Sequence, residues 1–228
     1  MSGWQPFADW MRFQDLDGAE GRLAGAFTIG YKITDDTGEH WTSRFVRFKA
    51  KERSAIWGGY RLLWEAVPPL IGALGLNPAK TVFVAALSSG ETQASADGVI
   101  PKIAQKCAEK IGARFELGAL SKQVHSPIHG IYGASARNAE LDKAAYTAQP
   151  VRAHTIVVFD DFITRGATLS RIAQAFSAVN EGGLIYGVAL AKTERRSWVA
   201  DISNDHMPKK WDDAWVAGEA RYKNRRQG

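Results

Sequence analysis

The chain has 228 residues, 45% hydrophobic and 23% charged, with a formal net charge of +5; this ordinary globular usage excludes a disordered or fibrous chain. The length suits one substantial core with an appended subdomain and is too short for two full-sized domains. A single cysteine, Cys107, excludes an intramolecular disulfide and a cysteine-based zinc cluster and suits a reducing cytoplasm.

No apolar run approaches the roughly 20 residues of a membrane-spanning helix, and the opening MSGWQPFADW lacks a basic region followed by an apolar stretch. Neither export nor membrane attachment is expected. Residues 23–34 and 40–49 alternate apolar and polar side chains about the turn-forming Asp35-Asp36-Thr37-Gly38 and predict a β-hairpin. In residues 51–74, Ile56, Tyr60, Leu63, Trp64 and Val67 recur at helical spacing, until Pro68-Pro69 kinks or ends the helix. Residues 1–78 are expected to form this accessory hairpin-and-helix module.

Beyond Asn77-Pro78 short continuous apolar runs alternate with helix-length segments, as in parallel strands covered on both faces. Residues 81–87 (TVFVAAL) predict a first strand, 100–111 an amphipathic helix and 113–117 a short second strand. Residues 118–149 lack a clear period and read as a long loop, then a helix around 134–145. Residues 155–162 predict a third strand, 168–179 a helix and 184–191 a fourth strand, which together make a βαβ unit. The fold class expected over 79–195 is α/β, a central, mostly parallel sheet flanked by helices, followed by a C-terminal extension and basic tail over 196–228.

The eight tryptophans, at 4, 10, 41, 57, 64, 198, 211 and 215, fall mostly outside that core. Such rings serve as packing, and equally as a partner surface or a base-stacking site. Arg221, Lys223, Arg225 and Arg226 form the basic tail, which suits solvent or nucleic acid.

The chemistry concentrates in residues 157–170, VVFDDFITRGATLS. An apolar strand delivers Asp160 and Asp161 at its carboxyl end, the edge of a parallel sheet where ligands bind. Unpaired carboxylates are costly to bury, so two in succession point to a polar partner such as hydroxyls or a metal-bound ligand. The following Thr164, Arg165, Gly166, Ala167 and Thr168 supply hydroxyls, a tight glycine turn and N–H groups at a positive helix N-terminus, which is a phosphate cradle.

This run resembles the motif by which type I phosphoribosyltransferases bind 5-phosphoribosyl-1-pyrophosphate (PRPP): an apolar strand, two acids, two mostly apolar residues, then T-T-G-x-T, with Arg165 as the visible departure. The resemblance implies the type I phosphoribosyltransferase fold, with Asp160 and Asp161 on the ribose hydroxyls and the 164–168 loop around the 5′-phosphate. By the same likeness Ser88, Ser89 and Gly90, after the first strand, hold pyrophosphate. Residues 122–130 and Ser135-Ala136-Arg137-Asn138 resemble the flexible region of the ComF-like branch, which makes Lys122 and Arg137 the candidate cations for the leaving group. His129 stands where a Gln is common, and reads as a surface or hydrogen-bonding residue rather than a proton carrier. The ComF-like zinc ribbon has no counterpart in a chain with one cysteine. Purine-salvage members place an Asp at the position of Thr164, which cannot act as that base.

The expected activity is transfer of phosphoribose from PRPP, with Mg²⁺ carried on the ligand and on Asp160 and Asp161, to an unidentified acceptor such as a nucleobase. The alternative is a non-catalytic PRPP or nucleotide-binding regulator, or a ComF-like component of DNA uptake or DNA metabolism. A homodimer is a further expectation.

Overall fold

The computed structural model describes residues 4–14, 16, 22–126, 131–198 and 202–225. A seven-stranded sheet runs in the order β1-β2-β3-β9-β8-β4-β5. Its strands are β1 (Trp4–Phe7), β2 (Trp10–Phe13), β3 (Gly25–Ile33), β4 (Thr81–Ala85), β5 (Arg114–Phe115), β8 (Thr155–Ile163) and β9 (Leu184–Glu194). From β3 to β5 the neighbours are parallel, and β1 and β2 add antiparallel at the edge. This is an α/β architecture with a mostly parallel sheet flanked by helices. A separate pair, β6 (Leu120–Ser121) and β7 (Thr147–Ala148), closes the long segment between β5 and β8.

Alternation along the buried strands sorts the core onto two faces. Phe83, Val157, Phe159 and Val188 join a cluster covered by α1 (His40–Lys49), α2 (Arg53–Ala73), α3 (Val99–Ile111) and α6 (Lys209–Arg225). Val82, Val84, Ile156, Val158 and Ala189 join the opposite cluster, covered by α5 (Ala167–Ser177). The short helix α4 (Ala134–Lys143) is tied to α5 by the Arg171–Asp142 ion pair of 2.6 Å.

The hairpin predicted over 23–34 and 40–49 is corrected. Only its first half is a strand, and residues 40–49 are the helix α1. Trp41, Phe45 and Phe48 share one helical stripe and are buried, and the Glu39 carboxylate accepts the N–H groups of Trp41 and Thr42, capping the helix. Short alternation cannot distinguish that stripe from a strand pattern. Strand β3 instead pairs parallel with β9, so β1, β2 and β3 extend the same sheet as the strands after residue 79. The helix over 51–74 runs through Pro68 and Pro69 to Ala73.

The basic tail is also structured. Trp211, Ala214, Trp215 and Gly218 lie at helical spacing and are buried against α2, while Arg221 and Arg225 lie over the Trp57 ring. Arg226 lies outside the described residues. Trp10, Trp41, Trp211 and Trp215 are core residues, whereas Trp198 is 54% exposed. Cys107 is buried in α3, with its thiol pushed up to about 12 by desolvation.

The α2–α6 contact depends on small residues. A Cβ on Gly218 would lie 2.3 Å from the Trp57 carbonyl oxygen, and one on Gly58 2.6 Å from the Trp215 indole. Backbone cannot yield as a flexible side chain can, so Gly218→Ala is expected to lower unfolding free energy by about 1–3 kcal/mol in urea titrations. Gly72→Ala, with nothing within 4 Å of the added atom, is expected to be neutral or slightly stabilising, because alanine favours the helix.

Candidate functional site

Strands β4 and β8 are adjacent and parallel, and the chain leaves them in opposite directions: from β4 through α3 to β5, and from β8 through α5 to β9. Crossovers of one hand that diverge this way put their helices on opposite faces, as α3 and α5 are, and leave a crevice between the two strand ends. The 88–90 loop follows β4 and the 164–168 turn follows β8, on the two sides of that divide.

Asp160 and Asp161 sit partly buried near the end of β8. Regular alternation breaks across them: Phe159 and Phe162 both face the α1 side, and Val158 and Ile163 both face the α5 side. The ladder pairings skip the same row, since no Asp161–Leu190 or Ile29–Leu190 pair forms while the rows on either side do. Each carboxylate accepts the next N–H, Asp160 from Asp161 and Asp161 from Phe162, both at 2.8 Å. Asp161 also takes an ion pair of 2.5 Å from Lys49 at the end of α1.

Among the described residues no cation contacts Asp160, and its carboxyl is pushed well above the usual range, first by burial and then by the neighbouring Asp161 charge. Tyr146 lies on the same side. Its phenol is raised by burial and by the Asp160 charge, and its buried hydroxyl has no hydrogen-bond partner among the described residues.

Beyond the acids the turn is built as a cradle. Gly166 has φ +79°, a conformation that Cβ-bearing residues rarely adopt, and it caps α5 with Thr164 and Arg165 exposed before it and Ala167 and Thr168 partly buried after it. Leu16 packs against it, since a Cβ there would meet the Leu16 side chain at 2.7 Å. The first N–H groups of a helix have no intrahelical partner, and no described side chain accepts from those of α5. Arg22, which donates to Ser170 Oγ at 2.7 Å, brings a cation to the same first turn.

The 88–90 loop forms its own turn, with Ser88 and Gly90 exposed and Ser89 partly buried. The Ser88 N–H donates to the Glu91 carboxylate at 2.7 Å, and Glu91 N–H to the Ser88 carbonyl at 3.0 Å. Lys122, expected on a loop closing over the site, is instead buried beneath it: its ammonium donates to the Ser89 carbonyl at 3.0 Å and the Gln123 carbonyl at 3.3 Å. Burial lowers its pKa, and the Glu91 charge opposes that shift. The backbone of Arg137 lies in α4; its side chain, like His129, lies outside the described residues.

The structure therefore brings Asp160, Asp161, the 164–168 turn, Ser88, Ser89, Gly90 and Lys122 to one sheet edge. Arg22, Lys49 and Tyr146 join them from elements remote in sequence, and nothing in their local sequence marked them. What results is an α/β protein whose sheet divides between β4 and β8, with two carboxylates at the end of one of these strands and a turn after each of them. No protein-family model matches the chain, and no curated protein is significantly similar to it.

The raised Asp160 carboxyl has a consequence for stability. The folded protein holds this proton to higher pH than the unfolded chain, so the stability associated with it is present at acid pH and declines as pH rises above the ordinary carboxylate range. Asp160→Asn is expected to flatten that decline and to raise the melting temperature at neutral pH, on the order of 2–4 °C for each kcal/mol recovered. Calorimetric melting of both proteins across pH 4–8 checks this.

Proposed function

We propose that the protein binds PRPP at the β4–β8 divide and transfers its phosphoribosyl group to an acceptor with release of pyrophosphate, as a type I phosphoribosyltransferase-like enzyme. The observation that carries this reading is one sheet edge that joins an acid pair, an open helix N-terminus five residues further on, and a lysine-backed loop on the adjacent strand. In it, Asp160 and Asp161 accept hydrogen bonds from the ribose hydroxyls. The N–H groups at the start of α5 and the hydroxyls of Thr164 and Thr168 hold the 5′-phosphate, with Arg22 beside them. The 88–90 loop takes pyrophosphate, and the Lys122 charge behind it favours the anion.

The acceptor's lone pair forms the new bond to C1 as the C1–O bond breaks, and both electrons leave on pyrophosphate. The protein's own part is to orient the two reactants and to stabilise the departing charge. Among the described residues no three His, Cys, Asp or Glu side chains converge as a metal cage. The donor pair Asp160 and Asp161 suits Mg²⁺, which takes most of its ligands from substrate oxygens and water. Bound there, the ion would neutralise charge on the pyrophosphate.

One observation favours a second reading, a PRPP-binding regulator without turnover. The Glu91 carboxylate holds the Ser88 N–H that a pyrophosphate would otherwise use. Pyrophosphate release in the presence of nucleobases separates the two, since a regulator binds PRPP, and is stabilised by it, without releasing product.

For either reading, Asp160→Asn combined with Asp161→Asn is expected to weaken PRPP binding at least 100-fold in calorimetry while the protein stays folded. Unchanged affinity would refute the site. Lys122→Met is expected to weaken PRPP binding about tenfold, with little effect on ribose 5-phosphate, which has no pyrophosphate to hold.

A further inference from the structure

The turn after β4 holds an anion of the chain's own. The ladder of β4 on β8 ends where the Ala86 N–H donates to the Phe159 carbonyl at 2.7 Å, so Ser88 stands just beyond the sheet, at the end that carries Asp160. Its N–H donates to the Glu91 carboxylate at 2.7 Å, and the Glu91 N–H closes the turn on the Ser88 carbonyl at 3.0 Å. A second set of contacts fixes the turn without that carboxylate. The Ser89 carbonyl accepts the Lys122 ammonium at 3.0 Å and the His125 N–H at 3.2 Å, the Lys122 N–H donates to the Thr92 carbonyl at 2.9 Å, and Gln93 bridges to Ser121.

A backbone N–H in front of a buried ammonium calls for an anion, and Glu91 is the carboxylate whose charge bears on Lys122. The other carboxylates of this sheet edge are engaged differently: Asp161 pairs with Lys49, and no cation contacts Asp160 among the described residues. A diphosphate arriving at the 88–90 loop therefore meets a donor already bound and a cation already answered, both by a group of its own sign.

Resting on the PRPP reading above, we propose that Glu91 is a built-in competitor for pyrophosphate: its carboxylate occupies the Ser88 N–H in the free protein and leaves when a diphosphate binds, so that it sets the affinity of the loop. The side chain is only partly buried, which lets it turn to solvent while the contacts through Ser89 and Thr92 hold the turn. Affinity falls in proportion to the fraction of molecules in which the Ser88 N–H is free, about tenfold for one charge-assisted hydrogen bond.

The test titrates inorganic pyrophosphate, PRPP and ribose 5-phosphate, each with Mg²⁺ at constant ionic strength, into the full chain and its variants by calorimetry. Glu91→Ala, which removes the competitor, is expected to bind pyrophosphate and PRPP at least about fivefold more tightly. Glu91→Gln keeps an oxygen for the Ser88 N–H and removes only the charge, so its expected gain is smaller, about threefold. Ribose 5-phosphate, which has no group for this loop, is expected to change less than about twofold in both. Asp97→Asn, which removes an equal charge from a side chain 94% exposed, controls for general attraction and is expected to leave pyrophosphate affinity within about twofold.

A Glu91 that merely braces the turn predicts the opposite sign, looser pyrophosphate binding in both variants. The proposal is overturned by that result, by unchanged affinity, by the absence of pyrophosphate binding in every variant, or by an equal gain for ribose 5-phosphate or in Asp97→Asn. Should Glu91→Ala fail to fold, the sign of the change in Glu91→Gln decides. Tighter pyrophosphate binding in the variants with no binding of PRPP or ribose 5-phosphate by any of the proteins refutes the function proposed above and leaves the role of Glu91 standing.

Discussion

The arrangement depends on one constraint, that β8 must be covered on both faces. Its first five residues are buried and four of them, Ile156 to Phe159, are apolar, and each face of such a strand exposes backbone and side chains that only a packed layer can keep from water. The chain meets that demand by sending α3 and α5 to opposite faces from neighbouring strands. The crevice at the β4–β8 divide is the geometric residue of that solution, so the candidate site needs no device beyond the fold itself.

At the carboxyl end of β8 the apolar strand gives way to acids, and the local electrostatics follow from unequal partners. Asp161 has Lys49 in contact, whereas Asp160 has burial and a like charge beside it. Burial and the neighbouring charge raise the Asp160 carboxyl, a perturbation common at sites that hold a ligand. The Tyr146 hydroxyl, buried without a hydrogen-bond partner among the described residues, lies within electrostatic reach of the same acid.

The aromatic layer does different work. Trp41, Phe45 and Trp215 stack edge and face across α1 and α6, and the Arg44 guanidinium lies over the first of them at 4.7 Å. This layer ties α1 and α6 onto one face of the sheet, and it fixes the end of α1, from which Lys49 reaches Asp161. The outer segments thus take part in the site through packing rather than through a motif of their own.

Much of the central architecture was legible in order along the chain. Continuous apolar runs at 82–85 and 156–159 and the amphipathic pattern at 99–111 define strands and helix because burial on two faces or on one leaves different periods. The acid pair, the glycine turn and the 88–90 loop were legible for a related reason, since their chemistry is carried by neighbouring residues. The helix at 40–49 and the docked helix α6 were not: a ten-residue stripe suits either period, and Trp215 finds its place only once Gly58 lets α2 approach. By itself, then, the sequence determined the strand that ends in carboxylates and the cradle after it. Tertiary structure alone decided that β3 joins β9, that Lys122 backs the 88–90 loop, and that Lys49 pairs with Asp161. Those contacts join residues tens of positions apart, and no local pattern encodes a distance closed only by packing.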